Sequence, residues 1–346
     1  MKAVVLVGGE GTRLRPLTET IPKPLIPLID RPFLNHVLDH LARHGVNEVV
    51  LSSSYLVDAF SEFIEARHGD PAVTWITEPS PLGTAGAVAN AASHGNGIQE
   101  TFLALNGDIL TDLDLTAMLA FHRERRAEAT IALTPAEDGR PYGLVDLRDD
   151  GGVVEFKEKP QGPDAIPGPV NAGTYVLEPS ALADTPSDRP VSIEHETFPE
   201  MIRSGVPVYG FVSRAYWMDL GTPQKYLRAT FDALEGRVHG LAYPSPYVDS
   251  DARVSLRSHL GQWVVVGPGV RVEDEAQVED SVLLAGSVVG AGARIRGSIL
   301  GPGAIVAERA TVIDTVLAEG ARVEAQVWSE GARVSAGQTL GLHQPA

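Results

Sequence analysis

A glycine-rich turn, Gly8-Gly9-Glu10-Gly11-Thr12-Arg13-Leu14, follows directly on the apolar run Ala3–Val7, and Pro22-Lys23-Pro24-Leu25 comes shortly behind it. A turn of this kind at a strand end exposes backbone N–H groups that can cradle phosphates, while Arg13 and Lys23 supply side-chain positive charge. The two commonest phosphate loops do not fit. In a GxGxxG pattern the third glycine position holds Leu14, and no GxxxxGK[ST] occurs in the chain, so a dehydrogenase or a P-loop enzyme draws no support. Taken alone, the segment reads equally well as a glycine turn beside a surface arginine.

Composition narrows the chemistry around this turn. The chain has 346 residues, 43% of them hydrophobic, which is enough for about two domains with cores of their own. No apolar stretch approaches the roughly 20 residues that span a bilayer, and the start runs straight from a short β-like stretch into glycines, unlike a signal peptide. We expect a soluble cytoplasmic protein with no membrane partner. Cysteine is absent, which removes disulfides, thiolate nucleophiles and zinc–thiolate sites. A formal charge of −17 argues against a nucleic-acid-binding face. Phosphates must then be held locally, by a few cations, backbone N–H groups and a divalent metal.

Two regimes of periodicity must position these groups. From residue 1 to 235, β-rich runs (Ala3–Val7, Glu48–Ser52, Val73–Thr77, Thr101–Leu105, Thr130–Leu133) alternate with helix-like stretches (Phe33–His44, Leu56–Arg67, Leu115–Arg126). The alternation predicts an α/β, Rossmann-like sheet with ligands at the carboxyl ends of its strands. Residues 236–247 read as a linker. Over 248–340, aliphatic residues recur every five or six positions: Val248, Val254, Leu260, Val266, Val272, Val278, Leu283, Val289, Ile295, Leu300, Val306, Val312, Leu317 and Val323. Neither a helix nor a two-faced strand has that period, whereas a parallel β-helix of hexapeptide repeats does. SVLLAGSVVGAGARIRG, SILGPGAIVAERATVID and TVLAEGARVEAQVWSEG align as successive 17-residue repeats.

GGEGTRLRPLT and PKPL closely resemble the signature of the nucleotide-sugar pyrophosphorylase family, the sugar-1-phosphate nucleotidyltransferases. The resemblance continues in order through PLGTAGA, LNGD, YGLV, EKP, VNAGTY and WMDLGTP, covering residues 1–235. Among its branches, the RLRPLTETIPKPL stretch and the domain order look most like mannose-1-phosphate guanylyltransferases. The resemblance implies a GT-A-like nucleotidyltransferase domain followed by a left-handed β-helix. It also implies a reaction: a sugar 1-phosphate and a nucleoside triphosphate give an NDP-sugar and pyrophosphate. Such chemistry is mostly positioning and charge neutralisation, without a covalent nucleophile.

Carried over position by position, the resemblance implies Mg²⁺ on Asp108 of LNGD and Asp219 of WMDLG, hard carboxylates at two strand ends. It implies Arg13 at the β- and γ-phosphates, Lys23 near the α-phosphate, and Lys159 of EKP on the sugar's phosphate. Glu158, Asn171 of VNAGTY and the backbone at Gly143 of PYG would read the sugar. Leu6, Gly8, Gly9, Gly11, Thr12, Gly83 and Thr84 would hold the base, ribose and phosphates. Pyrimidine-reading members carry glutamine where this chain has Glu78, and an acceptor-only carboxylate suits the N1–H and N2–H₂ donors of guanine. That favours GTP with mannose 1-phosphate. The alternatives are a solvated Glu78 with the base read by backbone near Leu6 and Gly9, and the same chemistry with dTTP, UTP or ATP and glucose 1-phosphate or a cyclitol phosphate. Two rivals of other kinds remain: a catalytically silent sensor of nucleotide sugar, and an acyltransferase in the β-helix using His259 or His343. We expect Trp217 to pack rather than to contact substrate, and the β-helix to help build a homo-oligomer.

Overall fold

The computed structural model describes residues 1–53, 57–78, 80–95, 97–162, 166–186 and 189–341. The chain forms two compact units, each assembled from two stretches: Met1–Gly9 with Leu34–Trp217, and Glu10–Phe33 with Met218–Ala346.

The first unit is built on a mixed sheet of nine strands among the described residues. Its main path runs Val153–Glu158, Gly143–Leu147, Gly168–Leu177, Phe102–Asn106, Lys2–Leu6, Glu48–Ser53 and Ala72–Thr77, and Ala129–Ala136 joins Gly168–Leu177 to Val208–Val212. Lys2–Leu6 pairs in parallel with both Glu48–Ser53 and Phe102–Asn106. Its sequence, KAVVL, is almost wholly apolar because a central parallel strand is covered on both faces. Val4, Ala104, Ile131, Tyr175 and Phe198 belong to the core cluster of this unit and are at most 1% exposed. The strands and helices expected from periodicity are present, with ends moved by up to three residues: Phe102–Asn106 replaces Thr101–Leu105, Ala129–Ala136 replaces Thr130–Leu133, and Leu115–Arg125 starts behind Asp114, whose side chain accepts the Ala117 N–H at 2.9 Å. The helix Gly83–Ser93 is additional. Its sequence GTAGAVANAAS has no amphipathic period, since small residues surround it and Ala85, Gly86, Ala87, Val88 and Ala91 are all buried.

In the second unit the helix Pro223–Leu234 opens with proline at its first position and Thr222 as N-cap, the Thr222 side chain accepting the Lys225 N–H at 3.3 Å. Behind it stand three parallel sheets of short strands, of six, six and five strands among the described residues, in the arrangement of a parallel β-helix. Tyr247 pairs with Val265, whereas Val282 pairs with Ile299 and Ile299 with Val316, so the first coil has 18 residues and later coils 17. The missing residue is lost at one corner, occupied in successive coils by Asp280, Gly297, Asp314 and Gly331, all left-handed at φ 47–70°. Just past that corner Ser281, Ser298 and Thr315 stack, fully buried. The Ser281 hydroxyl accepts the Ser298 N–H at 3.0 Å, and the Ser298 hydroxyl accepts the Thr315 N–H at 3.1 Å. The aliphatic series points inward from Val266 onward, but Val254 and Leu260 are only partly buried. Val248, in the same aliphatic series, is 41% exposed, and its strand Tyr247–Val248 is the edge of its sheet among the described residues. Among the described residues no helix is long and apolar enough to cross a membrane.

Candidate active site

In the first unit Leu6, Glu78, Asp108 and Glu158 stand at or just past the carboxyl ends of strands, whereas Gly143 opens a strand and Asn171 lies within one. Leu6 closes Lys2–Leu6 with Ser52 and Asn106 as its register partners. Its carbonyl accepts the Gly107 N–H at 2.8 Å, and a Cβ on Gly107 would lie 2.8 Å from both that oxygen and Val7 Cγ1. Glycine is therefore required beside Asp108, which sits in the turn between Phe102–Asn106 and Ile109–Thr111. Gly8 and Gly9 continue from the strand end. A Cβ on Gly9 would meet nothing within 4 Å, so the protein's own packing does not demand a glycine there.

Glu78 follows Ala72–Thr77 and is buried, with Oε1 accepting the Ser52 hydroxyl at 2.9 Å and Oε2 the Leu82 N–H at 3.0 Å. Both oxygens thus fix the entry to the helix Gly83–Ser93, and the idea of a solvated acid at this position does not hold. Gly83 has φ 71°, and a Cβ there would lie 2.5 Å from the Val191 carbonyl oxygen. Thr84 accepts the Ile193 N–H at 2.8 Å and donates to Glu194 Oε2 at 2.7 Å.

Glu194 connects this corner to the candidate sugar residues. Its Oε1 accepts the Tyr175 hydroxyl at 3.2 Å, and that hydroxyl in turn accepts from Asn171 Nδ2 at 2.8 Å. Burial, and then the Glu194 carboxylate, push the Tyr175 phenol well above its ordinary range, so it stays protonated and donates. Asn171 lies where Gly168–Leu177 shifts register, and its Oδ1 accepts the Gly173 N–H at 2.9 Å. Gly143 opens Gly143–Leu147 opposite Glu158, and its missing side chain makes room: a Cβ would lie 2.6 Å from Glu158 Oε2 and 2.7 Å from the Phe156 ring. Lys159 is left-handed at φ 45°, donates its N–H to the Tyr142 carbonyl at 2.9 Å, and holds Nζ 3.4 Å from Glu158 Oε1. Trp217 Nε1 donates to the Ala172 carbonyl at 3.0 Å and its ring meets Tyr142 edge-on, which is the packing role expected of it.

In the second unit Asp219 gathers the cations. Lys225 Nζ lies 3.1 Å, Lys23 Nζ 3.6 Å and Arg13 3.9 Å from its carboxylate oxygens. Burial alone would raise this carboxyl, but Lys23, Lys225 and Arg13 outweigh it and hold the carboxyl below its ordinary range. Gly221 allows the approach, since a Cβ there would stand 2.9 Å from both Arg13 Nη2 and Asp219 Oδ1. The Lys23 side chain is 9% exposed, whereas Arg13 is 68% exposed and free to reach outward. Gly11, at φ 60°, precedes the short turn Thr12–Leu14, and Thr12 is exposed.

The candidates thus divide between the units: Leu6, Gly8, Gly9, Glu78, Gly83, Thr84, Asp108, Gly143, Glu158, Lys159 and Asn171 in the first, and Gly11, Thr12, Arg13, Lys23 and Asp219 in the second. Ser52, Glu194, Tyr175, Lys225 and Gly221 support them without having been singled out in the sequence. Lys225 was the most findable, because it sits in the first helical turn behind DLGTP. His259 is exposed on a coil strand with no loop around it, and His343 lies outside the described residues. Among the described residues no cluster of three or more His, Asp or Glu side chains is set to hold a metal.

The family model described as "Nucleotidyl transferase" matches residues 2–236, and that of the "GMPPB C-terminal domain" matches 242–342. A mannose-1-phosphate guanylyltransferase of Mycobacterium tuberculosis is 40% identical over 300 residues, covering 85% of this chain and 76% of that protein. Mannose-1-phosphate guanylyltransferase 1 of Arabidopsis thaliana is 36% identical over 303 residues, covering 86% and 83%. The crystal structure of HddC from Yersinia pseudotuberculosis complexed with GMP-PN superposes with a TM-score of 0.57 at 31% identity, over 66% of this chain and 97% of that one.

Proposed function

This chain belongs to the nucleotidyl transferase family, and on that basis we propose that it transfers GMP from GTP to mannose 1-phosphate, giving GDP-mannose and pyrophosphate. The observation that carries the reading is the cluster at Asp219, where one carboxylate stands within 4 Å of Arg13, Lys23 and Lys225. Such a concentration of charge suits a reaction in which several phosphate oxygens meet.

A phosphate oxygen of mannose 1-phosphate attacks the α-phosphorus of GTP in line. A P–O bond forms there as the bond to the α,β-bridging oxygen breaks, and pyrophosphate leaves with the electron pair. The attacking phosphate is already anionic, so no general base is needed. Lys23 lies near the α-phosphate, Arg13 reaches the β- and γ-phosphates, and Lys159 holds the sugar's phosphate. Glu158 and Asn171 bond sugar hydroxyls, with Gly143 giving Glu158 its place. The open side of Gly9 and the backbone from Leu6 through Gly11 and Thr12 face the nucleotide, together with Gly83 and Thr84. Asp108 and Asp219 are hard oxygen donors, and Asp219 is kept ionised by its cations, so these are the two carboxylates that would suit Mg²⁺. When bound, the metal neutralises charge on the phosphates. Both Glu78 oxygens already accept, one from Ser52 and one from Leu82, so the preference for GTP rests more on the relatives than on Glu78.

Several triphosphates crossed with several sugar 1-phosphates, scored by pyrophosphate release, test the proposal. GTP with mannose 1-phosphate should give the highest kcat/KM. Preference for dTTP, UTP or ATP, or for glucose 1-phosphate, would replace the named substrates. Nucleotide-sugar binding without release from any pair would make the protein a silent sensor instead.

A further inference from the structure

The short helical turn Leu17–Glu19 stands between the two halves of the phosphate-binding segment, after Thr12–Leu14 and before Lys23–Leu25. Glu19 is exposed, yet the last coil of the solenoid holds both its carboxylate oxygens. Oε1 accepts the Ser335 hydroxyl at 3.0 Å, and Oε2 accepts the Ala336 N–H at 3.2 Å. One residue earlier Thr18 is fully buried, and its hydroxyl donates to the Gly11 carbonyl at 2.9 Å. Gly11 is pressed from two sides: a Cβ there would lie 2.9 Å from Thr18 Cγ2 and 3.3 Å from Lys23 Cβ. Close-packed groups transmit displacement rather than absorbing it. A shift of Glu19 therefore reaches, through Thr18, the residue that sets Thr12 and Arg13 and the stem of Lys23. The later part of the segment is gripped separately, by the Tyr226 hydroxyl on the Pro27 carbonyl at 2.6 Å and the Tyr243 hydroxyl on Asp30 Oδ1 at 2.8 Å. This connectivity agrees with the grouping of Glu10–Phe33 in the same compact unit as the solenoid.

We propose that the last coil of the solenoid positions the triphosphate-binding segment, with Glu19 as the positioning residue: Ser335 and Ala336 fix Glu19, and Glu19, through Thr18, fixes Gly11 and so the placement of Arg13 and Lys23. The inference rests on the reading of those two cations as triphosphate ligands. A carboxylate that accepts from a hydroxyl and a backbone N–H makes charge-assisted bonds. Losing them lowers the fraction of molecules with the segment in place, and apparent affinity falls by that fraction.

The full chain is tested as Glu19→Ala, Glu19→Gln, Ser335→Ala and Glu19→Ala/Ser335→Ala. The KM for GTP should rise roughly fivefold or more in Glu19→Ala, which loses both hydrogen bonds, and less in Ser335→Ala and Glu19→Gln, each of which keeps one partner. The double variant should equal Glu19→Ala, because the second substitution has nothing left to break. The KM for mannose 1-phosphate and the Tm should stay at wild-type values, which a merely structural role would not predict. An unchanged KM for GTP, additive losses in the double variant, or a parallel rise in both KM values with a fallen Tm would overturn the inference. If the wild type releases no pyrophosphate from any substrate pair, the functional reading fails, and equilibrium titration with a fluorescent GTP decides the inference by the same pattern of fold-changes. Equal affinities in that titration, or no binding at all, overturn it as well.

Discussion

Replacing Gly143 with alanine adds one methyl group where the start of Gly143–Leu147 faces Glu158. The new carbon would stand 2.6 Å from Glu158 Oε2 and 2.7–2.9 Å from two atoms of the Phe156 ring, so each must retreat by roughly 0.5–0.8 Å to reach ordinary contact near 3.4 Å. The carboxylate is the end of a flexible side chain and swings away cheaply, whereas the Phe156 ring is buried and can move only by disturbing its neighbours. Overpacking of this kind costs about 1–3 kcal/mol, or a few degrees in Tm for a protein of this size. The larger effect falls on substrate. A hydrogen bond from a sugar hydroxyl to a carboxylate is worth about 1.5–3 kcal/mol, and a misplacement near 1 Å forfeits most of it. We therefore expect kcat/KM for mannose 1-phosphate to fall roughly 10- to 100-fold, with the KM for GTP unchanged. Pyrophosphate release measured against each substrate in turn, alongside thermal unfolding, checks this. A folded Gly143→Ala protein with a wild-type KM for mannose 1-phosphate would remove both Gly143 and Glu158 from the sugar site.

Three further outcomes follow from other parts of the molecule. Lys225→Met removes the nearest cation to Asp219. The depressed carboxyl contributes stability above its unfolded value near pH 4, and that contribution is lost as pH falls through the lower folded value, so the wild type should lose more stability than the variant in urea unfolding as the pH falls below about 4; parallel curves would show that Lys225 does not hold Asp219 down. Asp108→Asn should abolish Mg²⁺-dependent turnover while leaving Tm near the wild-type value, and near-normal activity in a magnesium titration would take Asp108 out of the metal site. Ser298→Ala leaves the Thr315 N–H buried without its acceptor, so chemical unfolding should show a loss of about 1–3 kcal/mol with both KM values unaltered; an unchanged midpoint would mean the hydroxyl stack contributes nothing to the solenoid.

The solenoid was legible because its constraint is local and repeated. An inward aliphatic residue every five or six positions is what a three-sided coil requires, and the steps of five coincide with the left-handed corner at Asp280, Gly297, Asp314 and Gly331. The glycine loop and Asp108 were noticeable for a related reason, since each follows a strand that announces itself by an apolar run, whereas Asp219 was picked out by the family motif WMDLG. What was hidden depends on contacts between residues far apart in sequence. Nothing near Glu194 marks it as the partner of both Thr84 and Tyr175, which lie 110 and 19 residues away. The letters at Glu78 suggested a ligand for a base, while the structure engages both its oxygens with Ser52 and Leu82. The helix Gly83–Ser93 escaped notice because its small residues carry no period, and the attachment of Glu10–Phe33 to the solenoid unit could not be inferred from chain order.

Because successive coils are in register at 17 residues, the solenoid also behaves as a ruler. Adjacent strands of a sheet sit about 4.8 Å apart, so the six-stranded face from Tyr247–Val248 to Arg333–Val334 measures roughly 24 Å in five steps. Inserting or deleting one whole coil would leave every sheet and the inward stack intact, yet it would carry Ser335 one graduation past Glu19 or leave it one short. A solenoid that served only as a scaffold could vary in length without consequence. Here the count of coils decides which residues reach Glu19.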